Sequence, residues 1–372
     1  TWTTRGKNSN TPLDVTMVYN NYRPIYNSSA QYSGSPWHSG GFNSPTGNNC
    51  DYDCNVPTDD RLLGTTDFIF AGPGTFGDDL TFIREQTIWW IARRLGLQSI
   101  HRRFCRVWIN GTQRQTVFED TQQPNGDWID EYWPGDNDGN LHKAQDWIEY
   151  GDDGTTFGTT LRAHLTKRTT TGGAHKTANY RYQWAARSLA GSANEWTPFN
   201  TLVDAFNTGA AGTDAAFFNA LDPIVDQDSW MRALAIQRIA GNWDTWGYTF
   251  GKNMYIYKPT QGPWAMTAWD IDFSFGLVGD GTTTGLEAST QDPLATKFRT
   301  HPAFRRAMWC AYREAVDGPM VPATVNAHID RMVAGLAANS ITANAGQVGT
   351  VKTYISDRRN YIITQLNVAY PG

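Results

Sequence analysis

Long apolar runs are missing from this chain of 372 residues. That excludes the roughly 20-residue segments a membrane-spanning helix needs. Basic excess is missing too: 31 Lys and Arg face 36 Asp and Glu, a net charge of −5, so no positive field marks nucleic acid as a main partner. No internal repeat of about 20 to 50 residues appears, which argues against a solenoid or propeller. An initiator Met is absent at Thr1, as expected of a trimmed or processed chain. Lysine is scarce, and there are four cysteines. Within "CDYDC", a Cys50 to Cys54 disulfide is expected to pin a loop with little core of its own; a zinc half-site would need a second Cys or His pair that is absent. Cys105 and Cys310, each within an apolar run, are expected to be buried free thiols. A local disulfide, the acceptor triplets Asn27-Ser28-Ser29 and Asn110-Gly111-Thr112, and the shortage of lysine point to an extracytoplasmic or secreted protein.

Aromatics, by contrast, are abundant. Sixteen Trp and an aromatic share of 13% exceed ordinary packing needs. Sugar or base stacking would use them, but large, rigid core fillers are the reading that packing favours. Residues 1–65, rich in Gly, Ser, Asn, Thr and Pro, are expected to form an irregular arm with one brief strand at Val15 to Tyr19. Asp67 to Ala71 reads as a strand and Asp79 to Leu95 as an amphipathic helix. Between them, Gly72, Gly74 and Gly77 match a dinucleotide fingerprint, but Asp78 and Asp79 would repel a pyrophosphate at the helix start, so a capped turn is the better reading. Asn110-Gly111 signals a hairpin between Phe104 to Ile109 and Gln113 to Phe118. "GDNDGN" after Pro134 lacks calcium-loop spacing and reads as a solvated acidic turn. "LHKA" returns as a strand whose charged residue, Lys143, is either a solvated edge lysine or an inward anion ligand.

After a Thr- and Gly-rich stretch from Thr155 to Gly173, expected to be mobile, the chain turns helical. Helices are expected at Lys176 to Leu189, Pro198 to Phe206, Ala215 to Leu221, Gln227 to Ala240, Pro302 to Ala315, Pro322 to Ala338 and Gln347 to Asn367. Between the fourth and fifth lies Gly241 to Gly276. Asp244 follows a helix; Met254 to Tyr257 and Ala265 to Trp269 form two strands about a Pro/Gly turn; Asp270 and Asp272 follow the second strand. This hairpin returns Asp270 towards Asn253. An acid, an amide and two further acids gathered in this way suit a divalent metal held through oxygen, and can orient an attacking hydroxyl. Residues two apart on an extended chain face opposite ways, so one of Asp270 and Asp272 is the expected ligand and the pattern does not choose between them.

A β-rich lobe with an inward Lys, followed by a helical lobe with Asp, Asn and a later Asp, is the order of parts in protein kinases. The residues also resemble a particular family, the CotH kinases, atypical kinases named after spore coat protein H. The resemblance rests on "TRGKNSN", "DDRLLGTTDFIF", "LTFIREQTIWWIARRLG", "RVWINGTQRQTVFEDTQ", "NLHKA", "GNWD" with "KNMYIYK", "AWDIDFSFG" and "YISDRRNYIITQL", in order over nearly the whole chain. It implies an α+β, kinase-like two-lobed fold as one domain over 1–372: the arm 1–65, a β-rich lobe 66–150, and a helical lobe 175–372 carrying the hairpin 241–276. It implies ATP and Mg²⁺ or Mn²⁺ as cofactors. Lys143 would contact the phosphates, with Glu119 orienting it; Asp244 would be catalytic; Asn253 and Asp270, with Asp272 as alternate, would hold metal. The expected reaction is transfer of the γ-phosphoryl of ATP to a hydroxyl of a protein Ser or Thr, at a spore or cell surface. Two rivals stand beside it: a catalytically silent kinase-like coat or carbohydrate-binding protein, and a metal-dependent polysaccharide hydrolase.

Overall fold

The computed structural model describes residues 11–33, 51–74, 78–150, 157–210, 212–287 and 292–369. Its first layer is a six-stranded antiparallel sheet in the order β1-β2-β3-β4-β8-β5. These strands are β1 (Leu13–Tyr19), β2 (Arg23–Ser33), β3 (Asp51–Asn55), β4 (Asp67–Ala71), β5 (Arg102–Cys105) and β8 (Phe118–Thr121). Residues expected to form an irregular arm with one brief strand at Val15 to Tyr19 thus supply that strand and two more. Their polar composition hid a period of two: in β3 Tyr52 and Cys54 are buried while Asp51, Asp53 and Asn55 are half-buried on the other face. Asn20 and Asn21, with φ of 49° and 63°, provide the left-handed turn that joins β1 to β2. Tyr52, Phe68 and Phe118 close a small core on one face of the sheet with Ile25 and Tyr32.

Helix α1 (Arg84–Arg94) covers the opposite face, burying Ile88, Trp89, Ile91 and Ala92. It starts later than its pattern predicts because Asp79 folds back as a cap, accepting from Thr81 N at 3.0 Å and Arg84 N at 3.2 Å. That use of Asp79 agrees with a capped turn; Thr75 to Gly77, the end of the glycine motif, lie outside the described residues. The Asn110-Gly111 hairpin forms, with β6 (Trp108–Ile109) and β7 (Thr112–Gln113) paired across it.

The second sheet has the order β12-β9-β13-β14, from β9 (Asn140–Ala144), β12 (Trp184–Ser188), β13 (Met254–Lys258) and β14 (Ala265–Ala268). The helix expected over Lys176 to Leu189 is corrected here. Only α3 (Thr177–Gln183) is helical, and the following Trp184 to Ser188 pairs with β9. Helix-forming Ala and Arg in that stretch yield to the pairing and to Trp184, fully buried against Phe199 and Trp246. A hairpin of β10 (Trp147–Tyr150) and β11 (Phe157–Leu161) likewise enters the stretch expected to be mobile. The acidic turn of 135–140 is structural: Asp136 accepts from Thr260 N and Gln261 N, each at 2.7 Å, and so caps the β13–β14 turn. Those bonds, the Thr260 hydroxyl first, hold its carboxyl below the usual range.

The helical half comprises α4 (Thr197–Ala210), α5 (Asp214–Leu221), α6 (Gln227–Ala240), α7 (Pro293–Thr300), α8 (Pro302–Asp317), α9 (Pro322–Ala338) and α10 (Ala345–Ala369). Helix α6 is buried nearly all round, as a central helix must be, and of the two acids at its start, Asp226 and Asp228, it is Asp226 that caps it. It ends at Gly241, φ +80°, where a Cβ would lie 2.2 Å from the Tyr354 hydroxyl, so only glycine fits. Buried Arg358 of α10 reaches the same helix end, donating Nε at 3.0 Å and Nη2 at 2.7 Å to Arg238 O, and Nη1 to Thr282 O and Thr284 O. One large core runs from Ile69 of the first sheet to Leu366 of α10. Trp128, Trp184, Trp230, Trp246 and Trp264 are fully enclosed, so much of the tryptophan excess is core.

The cysteines diverge from expectation. Cys54 is a buried free thiol in β3, and Cys50 lies outside the described residues. Burial pushes the Cys54 and half-buried Cys105 thiols up to about 12. Cys310 is exposed, because α8 turns Met308, Trp309, Ala311 and Tyr312 inward and leaves position 310 outside.

Candidate active site

The end of α6 delivers the first acid. Past Gly241, buried Asn242 donates Nδ2 to Gln237 Oε1 at 2.8 Å and accepts Asp244 N at 3.0 Å, which fixes the backbone of Asp244. The Asp244 carboxylate receives Lys252 Nζ at 2.9 Å. Burial raises its pKa, and the charge of Lys252 opposes that rise. The loop between them doubles back, with Trp246 N donating to Lys252 O at 2.6 Å. Gly251 permits this, since a Cβ there would lie 2.4 Å from Ala163 N.

The return places Asn253 beside Asp244 although it follows by nine residues: Asn253 Nδ2 donates to Asp244 O at 2.8 Å. Asn253 takes φ +60° and is locked by main-chain bonds, its N donating to Ala144 O at 3.1 Å and its O accepting Trp269 N at 3.1 Å. One residue thereby ties the end of β9 to the end of β14. Asp270, immediately beyond, also takes a left-handed φ of +53°. Its side chain is exposed and, among the described residues, has no hydrogen bond or ion pair. Two left-handed non-glycine residues flanking one point are strain of the kind that collects at functional sites. Asp272 differs: Oδ1 accepts Phe273 N at 2.9 Å, so its carboxylate serves its own turn.

Lys143 sits on β9 opposite Tyr255 of β13 and Ala185 of β12. Its Nζ lies 5.7 Å from the Tyr255 ring centre and 5.3 Å from that of Trp269, the residue before Asp270. Burial lowers its pKa to about 8, Arg187 adds to the effect and Asp270 opposes it. The expectation that Glu119 orients Lys143 meets a different pairing. Glu119 on β8 ion-pairs with Arg102 of β5, which also reaches Glu85 of α1 at 2.7 Å. β5 lies directly beside β8, so Arg102 is the nearer cation. Burial raises the pKa of both glutamates and Arg102 offsets it.

Sequence reasoning missed Lys252, Asn242, Arg102, Glu85 and Arg84. Lys252 had a signal, its place directly before Asn253. Arg84 had none: it ion-pairs with Asp79 at 3.1 Å and donates to Ser274 O and Phe275 O, fixing α1 to the segment after Asp272. A cavity of about 390 Å³ elsewhere, walled by Glu287, Arg305 and Trp309, contains none of these residues.

The donor set fits a hard divalent cation only in part. Among the described residues no three His, Cys, Asp or Glu side chains form a ready cage. Asp270 offers an exposed carboxylate, and Asn253, its Nδ2 spent on Asp244, has no hydrogen bond to Oδ1 among the described residues. One or two such ligands, completed by waters and substrate phosphates, is how Mg²⁺ is usually bound.

An α+β fold in which an Asp and Asn after a buried helix meet an Asp after a hairpin, beside a strand lysine, has the order of parts found in kinases. The family model for CotH kinase protein matches residues 50–367, most of the chain, and the protein belongs to the CotH kinase family. No curated protein matches the chain. Among the described residues no helix is long and apolar enough to cross a membrane.

Proposed function

We propose that the protein is an ATP-dependent phosphotransferase acting on a hydroxyl, with a protein Ser or Thr as acceptor, at an extracytoplasmic location such as a spore or cell surface. The observation that carries this is the convergence on one point of Lys252-bound Asp244, Asn253 and the Asp270 carboxylate, which has no hydrogen bond or ion pair among the described residues. Asp244 orients the acceptor hydroxyl and takes its proton as the oxygen bonds to the γ-phosphorus and the bond to the β,γ-bridging oxygen breaks, releasing ADP. Lys252 holds the Asp244 carboxylate in place. Lys143 places a fixed positive charge against the phosphates. Asn253 and Asp270 would hold Mg²⁺ or Mn²⁺, with Asp272 as alternate; the metal supplies charge that offsets the phosphates.

The test is transfer of labelled phosphate from γ-labelled ATP to a Ser- and Thr-containing protein, with and without Mg²⁺ or Mn²⁺, alongside thermal shift. Label that appears only with metal is expected; no transfer and no stabilisation by ATP with either metal would defeat the proposal. Commitment of Glu119 to Arg102 favours a second reading, a kinase-like binding protein, which predicts stabilisation by ATP and metal without transfer. Enclosure of Trp128, Trp184, Trp230, Trp246 and Trp264 leaves less of the aromatic excess for sugar binding, and a polysaccharide hydrolase working through two of the clustered acids would cleave sugar without ATP.

A pH dependence follows from Lys143. With its pKa lowered to about 8, its positive charge is present below that pH and lost as pH rises through it. The profile of kcat/KM should therefore fall above about pH 8, and in Lys143→Arg this alkaline limb should vanish, whatever the new maximum. Because the folded state binds the proton less tightly than the unfolded chain, this group's contribution to stability should increase with pH from about 8 towards the ordinary lysine value of 10.5. An alkaline limb unmoved in Lys143→Arg would assign it to another group.

A further inference from the structure

Lys143 has a cationic neighbour that the reading above leaves unused. On β12, Ala185 faces Lys143 and Ala186 faces His142, but the register then slips and Ser188 faces Leu141. Arg187 is the extra residue of this β-bulge, a device that re-aims a side chain and is frequent beside active sites. The side chain is exposed and, among the described residues, makes no ion pair or hydrogen bond. Its charge acts on Lys143, on Asp53 of β3 and on Tyr255 of β13. Across the β9–β12 pair Arg187 stands two residues beyond Ala185, the cross-strand partner of Lys143, so the two cations belong to neighbouring positions of one sheet. Neither cation has a carboxylate in ion-pair range among the described residues.

Two like charges gathered without a counter-ion repel one another, and an anion between them recovers that energy. The acids nearby do not fill the role. Asp53 is held by Gln31 Nε2 at 2.9 Å, and its pKa is raised by burial, which disfavours its charge. Asp270 is the site's open metal ligand in the proposed reading. Lys252 adds a third positive charge to the surroundings of Lys143, but its own ammonium is spent on Asp244. A large, multiply charged anion fits this arrangement better than a single carboxylate.

We propose that Arg187 and Lys143 form a two-cation clamp for the polyphosphate tail of a nucleotide, Arg187 gripping two phosphate oxygens through its planar fork and Lys143 acting as a point charge. This deepens the phosphotransfer reading and rests on it for the identity of the nucleotide. AMP, which lacks the β- and γ-phosphates, should not use the clamp, whereas inorganic tripolyphosphate should.

The experiment is calorimetric binding of ATP, AMP and inorganic tripolyphosphate, each with Mg²⁺, to the full chain and to Arg187→Ala and Arg187→Lys. Loss of one charge-assisted contact should weaken ATP and tripolyphosphate by roughly 10- to 100-fold in Arg187→Ala, with AMP changed less than about 2-fold. Arg187→Lys should restore part of the loss, because it keeps charge but not the fork. The exposed position predicts an unchanged melting temperature, which separates a binding effect from misfolding. Equal ATP and tripolyphosphate affinity in wild type and Arg187→Ala overturns the clamp, as does wild type that binds neither. Tripolyphosphate binding that depends on Arg187, in a protein showing no phosphoryl transfer, upholds the clamp and removes the kinase reading alone.

Discussion

Asp270→Asn should lower metal-dependent phosphoryl transfer by about 10³-fold while leaving stability within about 1 kcal/mol of wild type. The substitution is chosen for its backbone. Asp270 holds φ +53°, a conformation that Asn tolerates better than any other non-glycine residue, so the exchange removes charge without adding strain. Little stability rests on the carboxylate, since it is exposed and has no partner among the described residues. Removing only a supporting partner of a metal ligand typically costs roughly 10- to 100-fold, and loss of the ligand itself costs more. Asp272→Asn is the control. Its Oδ1 can still accept Phe273 N, so a fall of less than about 10-fold is expected. Transfer and Mn²⁺ affinity measured on both variants decide the matter; a larger loss at position 272 would exchange the two roles.

Arg358→Met should be the most destabilising of the conservative substitutions, costing about 2 to 4 kcal/mol in denaturant unfolding. Arg358 is fully buried and donates to three carbonyls, those of Arg238, Thr282 and Thr284. Methionine fills a similar volume but leaves these acceptors without their charged donor. Part of the loss is recovered, because burial disfavours the guanidinium charge and lowers its pKa. The remaining cost falls on one place, since Arg238 O belongs to the last turn of α6, where a cation is favoured, and residues 282 and 284 follow the Asp270 segment. Hydrogen exchange should speed up at 276–284 and at the end of α6 before other segments open. Unchanged stability in Arg358→Met would show that Tyr354 and the Arg238–Asp280 pair carry this junction without it.

How much of this was legible beforehand depended on whether a segment declares itself locally. Helix α6 was readable from 227 to 240, because its apolar period and the acids at its start, Asp226 and Asp228, agree. The β13–β14 hairpin was readable too, and with it the return of Asp270 towards Asn253. β2 and β3 were not, since strands dominated by Ser, Asn, Asp and Tyr look like loop until a neighbour pairs with them. β12 was misread for a related reason: nothing within Trp184 to Ser188 announces that β9, forty residues earlier in the chain, will claim it. The same distance hid the partners of the site. Lys143 and Asp244 stand out by type and context, whereas the Arg102 link to Glu85 and Glu119 exists only once α1 and two strands have been packed together.

The bonds that lock Asn253 to Ala144 and to Trp269 run from main chain to main chain, and so does the ladder that fixes β9 against β13. Such a frame is indifferent to which side chains decorate it. Substitutions that preserve volume in these strands can accumulate without moving Lys143 relative to Asp244 or Asp270. Sequence drift in a lineage carrying this fold would then erase the strands' composition long before it disturbed the spacing of the charged groups, and a distant relative would be recognised by a handful of charges on an otherwise unfamiliar chain.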